Sequence, residues 1–149
     1  MKLPVRILLT RGMTPPTYAT EGSAAVDLRA AIEENEPLTL APGQRALVPT
    51  GVAIAPEGKD YVAVVAARSG LAVKHGVCLS NGIGVIDADY RGEILVGLLN
   101  TSDTPFVIRR GDRIAQMMFL PVAHADFLTV AALDATERGA GGFGSTGVK

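Results

Sequence analysis

The stretch Tyr61-Val62-Ala63-Val64-Val65-Ala66-Ala67 is the clearest indication of the fold class. It is a short, continuous apolar run, and the polar step Arg68-Ser69-Gly70 ends it. Runs of this length between turn-forming residues are typical of buried strands. Three further runs have the same character: Val5–Leu9, Glu93–Asn100 and Arg113–Leu120, the last stopped by Pro121.

Turn-forming residues separate these runs, as expected for a chain with 17 glycines and 9 prolines. No stretch has a sustained helical period, so only Ser69–Lys74, with Ser69 as N-cap, and Ala131–Glu137 are predicted as short helices. The sequence therefore predicts an all-β sandwich or barrel with at most one or two short helices. The turns are expected at Pro15-Pro16, Ala41-Pro42-Gly43, Pro56-Glu57-Gly58, Asn81-Gly82 and Arg110-Gly111-Asp112.

The composition is that of a single globular domain of 149 residues, 48% of them hydrophobic. Aromatic residues make up only 5% and tryptophan is absent, so we expect a core of Val, Ile, Leu and Ala. The net charge of −1 lacks the basic excess through which long nucleic acids are bound. We therefore predict no nucleic-acid partner, although a few arginines suffice to bind a small anion.

The cysteine and histidine usage favours a reducing, cytoplasmic setting without a metal–ligand cluster. Cys78 is the single cysteine, so no internal disulfide can form. His75 and His124 have no partners at metal-ligand spacing, so no direct metal site is predicted. The N-terminal apolar patch is interrupted by Pro4 and Arg6 and is too short for a signal peptide or a membrane span.

The segment N-G-I-G-V-I-D-A-D-Y-R-G, Asn81 to Gly92, contains the main catalytic candidate. Its glycines allow tight curvature, and Asp87 follows the β-branched residues Val85 and Ile86. A carboxylate beside such residues can be partly desolvated, which suits a general base. The alternative is a polar hairpin tip in which Asp87 and Asp89 only form the turn.

Two segments have the composition of anion sites. Arg68 ends an apolar strand, and Ser69 and Gly70 follow with N–H groups that could face a phosphate; a solvated connection is the alternative. In the tail, Arg138 precedes a glycine-rich stretch that contains Phe143. Converging N–H groups, a guanidinium and a stacking ring are typical of a lid over a nucleotide, whereas glycines alone are typical of a flexible end.

Two polar residues lie inside apolar segments. Asp27 stands between Val26 and Leu28, and Gln116 lies within the run R-I-A-Q-M-M. A buried amide or carboxylate needs hydrogen-bond partners, so both are candidates for a site or for ordinary structural bonding.

Five segments, taken in order, resemble the five motifs of the trimeric dUTPase family. The resemblance extends from Ser23 to Gly147, nearly the whole chain. The second motif often begins with proline in that family and here begins with Ala67. The segments are S-A-A-V-D-L (23–28), A-R-S-G-L-A (67–72), N-G-I-G-V-I-D-A-D-Y-R-G-E (81–93), G-D-R-I-A-Q-M (111–117) and R-G-A-G-G-F-G-S-T-G (138–147).

The resemblance implies hydrolysis of dUTP to dUMP and pyrophosphate, with Asp87 as the base for water attack on the α-phosphorus. It implies that Asn81, Val85 and Ile86 bind uracil, that Tyr90 excludes a ribose 2′-OH, and that Leu95 adds a backbone contact. It also assigns the phosphates and the lid stacking to one set of residues: Arg68, Ser69, Gly70, Gln116, Arg138, Phe143, Gly144, Ser145 and Thr146.

The resemblance also implies the assembly and the cofactor. The expected fold is a jelly-roll-like β-barrel over residues 1–137, followed by a flexible lid arm over 138–149. The expected assembly is a homotrimer whose active sites are shared between chains, with dUTP as ligand and no membrane partner. Mg²⁺ is expected on the triphosphate, with Asp27 and Gln116 reaching it only through water.

Two rival functions remain open at this point. A dCTP deaminase shares this fold, but it needs a glutamate that activates water at the base, and Asp87 with Tyr90 fits the hydrolase better. A non-catalytic β-sandwich that only binds a nucleotide is the second rival, and the presence of Asp87, Gln116 and Arg138 argues against it.

Overall fold

The structure is a computed structural model that describes residues 2–142. The predicted lid residues Phe143, Gly144, Ser145 and Thr146 lie outside the described residues. Within the described range the chain forms eleven strands and one helix. They are β1 (Val5–Leu9), β2 (Val26–Arg29), β3 (Leu38–Leu40), β4 (Arg45–Pro49), β5 (Val52–Pro56), β6 (Tyr61–Ala66), α1 (Ser69–His75), β7 (Val77–Leu79), β8 (Gly84–Ile86), β9 (Leu95–Asn100), β10 (Phe106–Ile108) and β11 (Arg113–Pro121).

The strands form four antiparallel sheets, which confirms the predicted all-β class with one short helix. The largest sheet has the order β2-β11-β6-β8, and a three-stranded sheet has the order β4-β9-β7. Two-stranded pairs, β1-β5 and β10-β3, complete the arrangement. Neighbours in these sheets are distant along the chain, so long connections bring the candidate segments together.

The core consists of aliphatic side chains from all four sheets, as the low aromatic content predicts. Strand β6 shows the pattern: Ala63 and Val65 are buried, whereas their neighbours are half-buried. Leu28, Leu40, Leu98 and other inward residues form one continuous cluster. Full burial of an aliphatic side chain of this size contributes about 1.5 to 3 kcal/mol. The packing of this cluster therefore fixes the strands that carry the polar residues at their ends.

Helix α1 begins at Ser69, as predicted, but the predicted N-cap is wrong. The cap residue is Arg68, with extended dihedral angles of φ −88° and ψ 129°, and it makes no side-chain capping bond. Ser69 already belongs to the first turn. Gly76 ends the helix in the left-handed conformation at φ 67°, a conformation that glycine adopts at little cost.

The second predicted helix, Ala131–Glu137, is wrong. The residues from 122 to 142 contain neither helix nor strand, and nearly all of them are exposed. A short helix needs a packed apolar face to offset the cost of its nucleation, and this segment has none within its own chain. The strand predicted to stop before Pro121 instead includes that residue, which pairs with Tyr61 at the end of β11.

Among the residues that the structure describes, α1 is the sole helix, and no helix is long and apolar enough to cross a membrane.

Candidate active site

A polar cluster of Asp27, Arg68, Arg113 and Gln116 lies where β2, β11 and β6 adjoin. Arg68 Nε donates to Asp27 Oδ1 at 2.7 Å, and Arg113 Nη1 donates to Asp27 Oδ2 at 3.3 Å. The Asp27 side chain is only 27% exposed, and each of its carboxylate oxygens accepts a charge-assisted hydrogen bond from a guanidinium group. The first, second and fourth candidate segments thus meet at one place.

Gln116 links two of these strands. It lies opposite Asp27 in the β11–β2 register and opposite Ala66 in the β11–β6 register. Its Nε2 donates to the carbonyl oxygen of Ala67 at 2.9 Å, which provides the partner that a half-buried amide needs. The amide oxygen Oε1 can still accept a hydrogen bond, for example from a water molecule.

A β-bulge explains why Arg113 and Gln116 act on the same side of the sheet. Three residues apart on a regular strand, their side chains would point to opposite faces. The register shifts between Arg113 and Ala115, so Arg113 pairs with Arg29 while Gln116 pairs with Asp27. The extra residue returns both side chains to one face. Arg113 was not among the predicted site residues, because this bulge has no signature in the sequence.

The third segment forms the last strand of the same sheet. Asn81 and Gly82 make a turn, with Gly82 in the left-handed conformation at φ 76°, and β8 then pairs with β6. Asn81 and Val85 are exposed, and Ile86 is half-buried. Because β8 stands at the end of the strand order, a ligand can approach its outer backbone edge.

Asp87 follows β8 and is exposed on this chain. The expectation that Val85 and Ile86 partly desolvate it is therefore wrong for the single chain, since Val85 is itself 59% exposed and does not cover the carboxylate. Tyr90 N–H donates to the Asp87 carbonyl oxygen at 3.1 Å, which closes a turn. Asp87 and Tyr90 therefore lie on the same turn, and Tyr90 is 44% exposed.

The loop between β8 and β9, residues 87–94, is fastened at its far end by Glu93. Its Oε1 accepts from Arg11 Nε at 2.9 Å and from Gly51 N–H at 2.7 Å. Its Oε2 accepts from Arg11 Nη2 at 3.2 Å. The hydrogen bond from Arg11, followed by that from Gly51, holds the pKa of Glu93 below its usual value despite partial burial.

The lowered pKa of Glu93 predicts how the stability of the folded protein changes at acid pH. Glu93 loses protons more easily in the folded state, so its contribution to stability is present above the unfolded pKa and is lost as the pH falls through the folded pKa. We expect Glu93→Gln to lower the melting temperature at pH 7, and we expect the difference from wild type to shrink below about pH 4.3. Melting curves between pH 3 and 8 measure this; a constant difference over the whole range would contradict it.

The polar cluster and Asp87 lie at opposite ends of β6. Ile86 pairs with Ala63, and the antiparallel register carries Asp87 beyond it toward Val62. Arg68 lies past the other end of the strand. From Val62 to Arg68 an extended chain covers roughly 20 Å at about 3.3 Å per residue. The structure therefore brings the predicted residues into two separate groups on one chain.

The remaining predicted residues are placed as follows. Ser69 and Gly70 are exposed at the start of α1, next to the polar cluster. Leu95 begins β9 and is 44% exposed. Arg138 lies in an exposed local turn, where its Nε donates to the carbonyl oxygen of Gly141 at 2.8 Å. Within the described residues, no group of three His, Cys, Asp or Glu side chains could hold a metal ion.

The described residues thus place an aspartate paired with two arginines at one end of β6, and an exposed carboxylate with a tyrosine at the other end. The dUTPase family model matches residues 12–147 of the chain. The chain belongs to the dUTPase family.

Relatives and solved structures agree with this assignment. A deoxyuridine 5′-triphosphate nucleotidohydrolase of Desulfitobacterium hafniense is 56% identical over 89% of this chain and 87% of its own length. One from Paraburkholderia xenovorans is 49% identical over 99% of both chains. The G164S mutant of the Staphylococcus bacteriophage 80alpha dUTPase with dUpNHpp has a TM-score of 0.85 at 26% identity, again over 99% of each chain.

Proposed function

We propose that this chain hydrolyses dUTP to dUMP and pyrophosphate. The observation that carries the proposal is the gathering of Asp27, Arg68 and Gln116 on adjoining strands in a chain of the dUTPase family. The curated relatives are named as nucleotidohydrolases of dUTP, and a similar structure carries the dUTP analogue dUpNHpp. Such an enzyme keeps uracil out of DNA and supplies dUMP for thymidylate synthesis, and a cytoplasmic location fits the single cysteine.

Asp87 is the proposed general base. It accepts a proton from a water molecule as the water oxygen forms a bond to the α-phosphorus, and the bond to the bridging oxygen breaks with pyrophosphate as leaving group. Its exposure on the single chain suits this role, because substrate and partner chains can then cover it on binding.

Uracil and deoxyribose are proposed to bind along β8 and the loop that follows. The open edge of β8 offers backbone N–H and C=O groups to the base, with Asn81, Val85 and Ile86 lining it. Tyr90 contacts the deoxyribose and excludes a 2′-OH, and Leu95 adds a backbone contact at the start of β9. The close approach of backbone to base leaves no space for the methyl group of thymine.

The phosphates are proposed to bind at the polar cluster. Arg68, Ser69, Gly70 and Gln116 hold them, and Arg138 adds a second guanidinium from the arm, residues 138–149. The barrel, residues 1–137, and this arm form one functional unit. Beyond Arg138 the proposed lid residues are Phe143 for stacking on uracil and Gly144, Ser145 and Thr146 for the terminal phosphate.

Mg²⁺ is the proposed cofactor, and the residues fit a water-mediated role. Both carboxylate oxygens of Asp27 already accept from arginines, which leaves its remaining lone pairs for water. Gln116 retains Oε1 as an acceptor. When bound to the triphosphate, Mg²⁺ neutralises charge and keeps several waters, and Asp27 and Gln116 would orient those waters.

A homotrimer with shared sites is the proposed assembly. The roughly 20 Å between Asp87 and Arg68 along one chain exceeds what a single α-phosphate can span, so the two groups are proposed to come from different chains. Four large apolar side chains between residues 127 and 133 support contacts with other copies, because such exposure is unusual on a free surface. They are Phe127 (91% exposed), Leu128 (80%), Val130 (58%) and Leu133 (89%).

Shared sites predict complementation between inactive variants. We expect Asp87→Asn and Arg68→Ala each to be nearly inactive as homotrimers. Mixed by co-expression or refolding, they should recover a fraction of wild-type activity, about one quarter if chains assort at random, because some sites combine wild-type Asp87 with wild-type Arg68. Refolding Asp87→Asn alone through the same protocol is the control. If mixtures stay as inactive as each parent, both groups act within one chain.

A pyrophosphate-release assay with Mg²⁺ across dUTP, dTTP, dCTP and UTP tests the proposed function. We expect dUTP to be strongly preferred. The deaminase alternative predicts ammonia from dCTP, and it needs a glutamate free to activate water; Glu93, the glutamate in the third segment, is instead bonded to Arg11 and Gly51. Ammonia release from dCTP would overturn the hydrolase.

A further inference from the structure

We propose that Arg11 and Glu93 are positioning residues for the sugar side of the site. Their ion pair holds the loop 87–94 in place and thereby orients the Tyr90 ring, which sets the preference for deoxyribose over ribose. The inference rests on the proposed hydrolysis of dUTP and deepens it. Neither residue was a candidate at the level of sequence, because Arg11 lies 82 positions from Glu93.

The main chain of Gly92 and Glu93 contacts the Tyr90 ring. The Tyr90 phenol O–H donates to the Glu93 carbonyl oxygen at 3.1 Å. The ring also packs against Gly92, where an added Cβ would lie 2.6 Å from Tyr90 Cζ. The orientation of the ring is therefore set by the backbone of the two residues at the end of the loop, so whatever holds Glu93 also holds Tyr90.

The side chain of Glu93 is what holds that backbone. The Arg11 guanidinium binds both carboxylate oxygens, and Gly51 N–H donates to one of them at 2.7 Å. A bidentate guanidinium contact fixes direction as well as distance. The side chain is 24% exposed, so water competes only partly for these bonds.

The residues that bind the Glu93 side chain have close contacts and hydrogen bonds of their own. Gly51 has φ 68°, and a Cβ there would lie 2.7 Å from both the Thr10 carbonyl oxygen and Met13 Cγ. Thr10 N–H donates to the Gly51 carbonyl oxygen at 2.8 Å, and the carbonyl oxygen of Arg11 accepts from the Arg110 guanidinium. The anchor thus lies in the turns that follow β1 and β4, and these turns are bonded to each other.

The next residue joins the same anchor to the core. Ile94 is 1% exposed, its N–H donates to the Val52 carbonyl oxygen at 2.8 Å, and its carbonyl oxygen accepts from Thr50 Oγ1 at 2.6 Å. These bonds fix Ile94 without Arg11. The Arg11–Glu93 pair therefore acts one residue earlier, where the chain leaves the core and turns toward Tyr90.

The test measures kcat and KM for dUTP and UTP, together with the melting temperature, in wild type, Arg11→Met and Glu93→Gln. A displaced ring costs activity with dUTP and weakens rejection of the 2′-OH. We expect kcat/KM for dUTP to fall by about 10-fold and the dUTP/UTP preference to fall by about 3- to 10-fold. Arg11→Lys, which keeps the charge but not the fork, should recover part of the preference.

Two controls frame the result. Glu57→Gln makes the same substitution at an exposed glutamate outside the loop 87–94 and its anchor, and should leave the preference unchanged. Gly92→Ala displaces the Tyr90 ring directly and should reproduce the loss of preference. If Arg11→Met fails to fold, the milder Arg11→Lys is expected to lower the preference by about 2-fold, since it retains only a point charge.

Different outcomes would overturn the positioning role and the proposed function. An active wild type whose dUTP/UTP preference is unchanged in Arg11→Met and Glu93→Gln, with only the melting temperature lowered, would overturn the positioning role alone. A wild type that does not hydrolyse dUTP would overturn the proposed function and this inference together.

Discussion

Replacement of Asp87 by asparagine should lower kcat for dUTP hydrolysis by about 10²- to 10⁴-fold, the range that a positioned general base contributes. Asparagine keeps the size and an acceptor oxygen but cannot take a proton from the attacking water. Binding of a non-hydrolysable dUTP analogue should be nearly unchanged, because the exposed Asp87 side chain is not part of the hydrogen-bonded framework of the loop. Turnover is measured by pyrophosphate release, and binding of the analogue is measured by calorimetry.

Asp89→Asn is the matched control, since Asp89 is an exposed aspartate two residues further along the same turn. It removes the same charge from the same loop and should retain most of the activity. Equal losses in both variants would point to the net charge of the loop rather than to a base at Asp87. Unchanged turnover in Asp87→Asn would remove this residue from its proposed role.

Deletion of residues 138–149 should leave a folded trimer that has lost most of its catalysis, by about 100-fold or more, which is the scale of losses when a closing segment no longer orients the substrate. Within residues 2–142 the last strand ends at Pro121, and residues 122–142 contain no regular structure. The described part of the arm, residues 138–142, therefore contributes no strand to the sheets. Circular dichroism and sedimentation measure folding and assembly, while pyrophosphate release measures catalysis.

Deletion of Val148 and Lys149 alone is the control for this truncation. It shortens the chain but retains Arg138 and the proposed lid residues through Thr146, so activity should stay near that of wild type. If the longer deletion unfolds the protein or dissociates it, the arm is a structural element and the lid interpretation fails.

Several features of the fold could be predicted from the sequence because they depend on short-range patterns. Val5–Leu9 is a strand as expected, the run predicted at Tyr61–Ala67 is a strand that ends one residue earlier at Ala66, and α1 starts at Ser69. Such elements depend on apolar runs and on the residues that interrupt them. The helix predicted at Ala131–Glu137 does not form. Local helix propensity is sufficient only where tertiary packing supports the helix.

The candidate site was predicted as a set of residue types but not as an arrangement. Asp27, Arg68 and Gln116 were each identified from a charged or amide side chain in an apolar setting. Their meeting depends on β11 pairing with both β2 and β6, and on the bulge that turns Arg113 toward Asp27. A one-residue change in register reverses the face of every side chain, and local sequence does not specify where that change occurs.

By itself, then, the sequence determined the class of the fold and the family, and it supplied a set of candidate site residues, because periodicity, turn residues and motif order are properties of neighbouring positions. Only the tertiary structure decided which of these residues lie together on one chain. It separated Asp87 from Arg68 by the length of β6 and joined Arg11 to Glu93 across 82 positions. Contacts of that kind follow from strand order and register, which are set by the burial of the whole core.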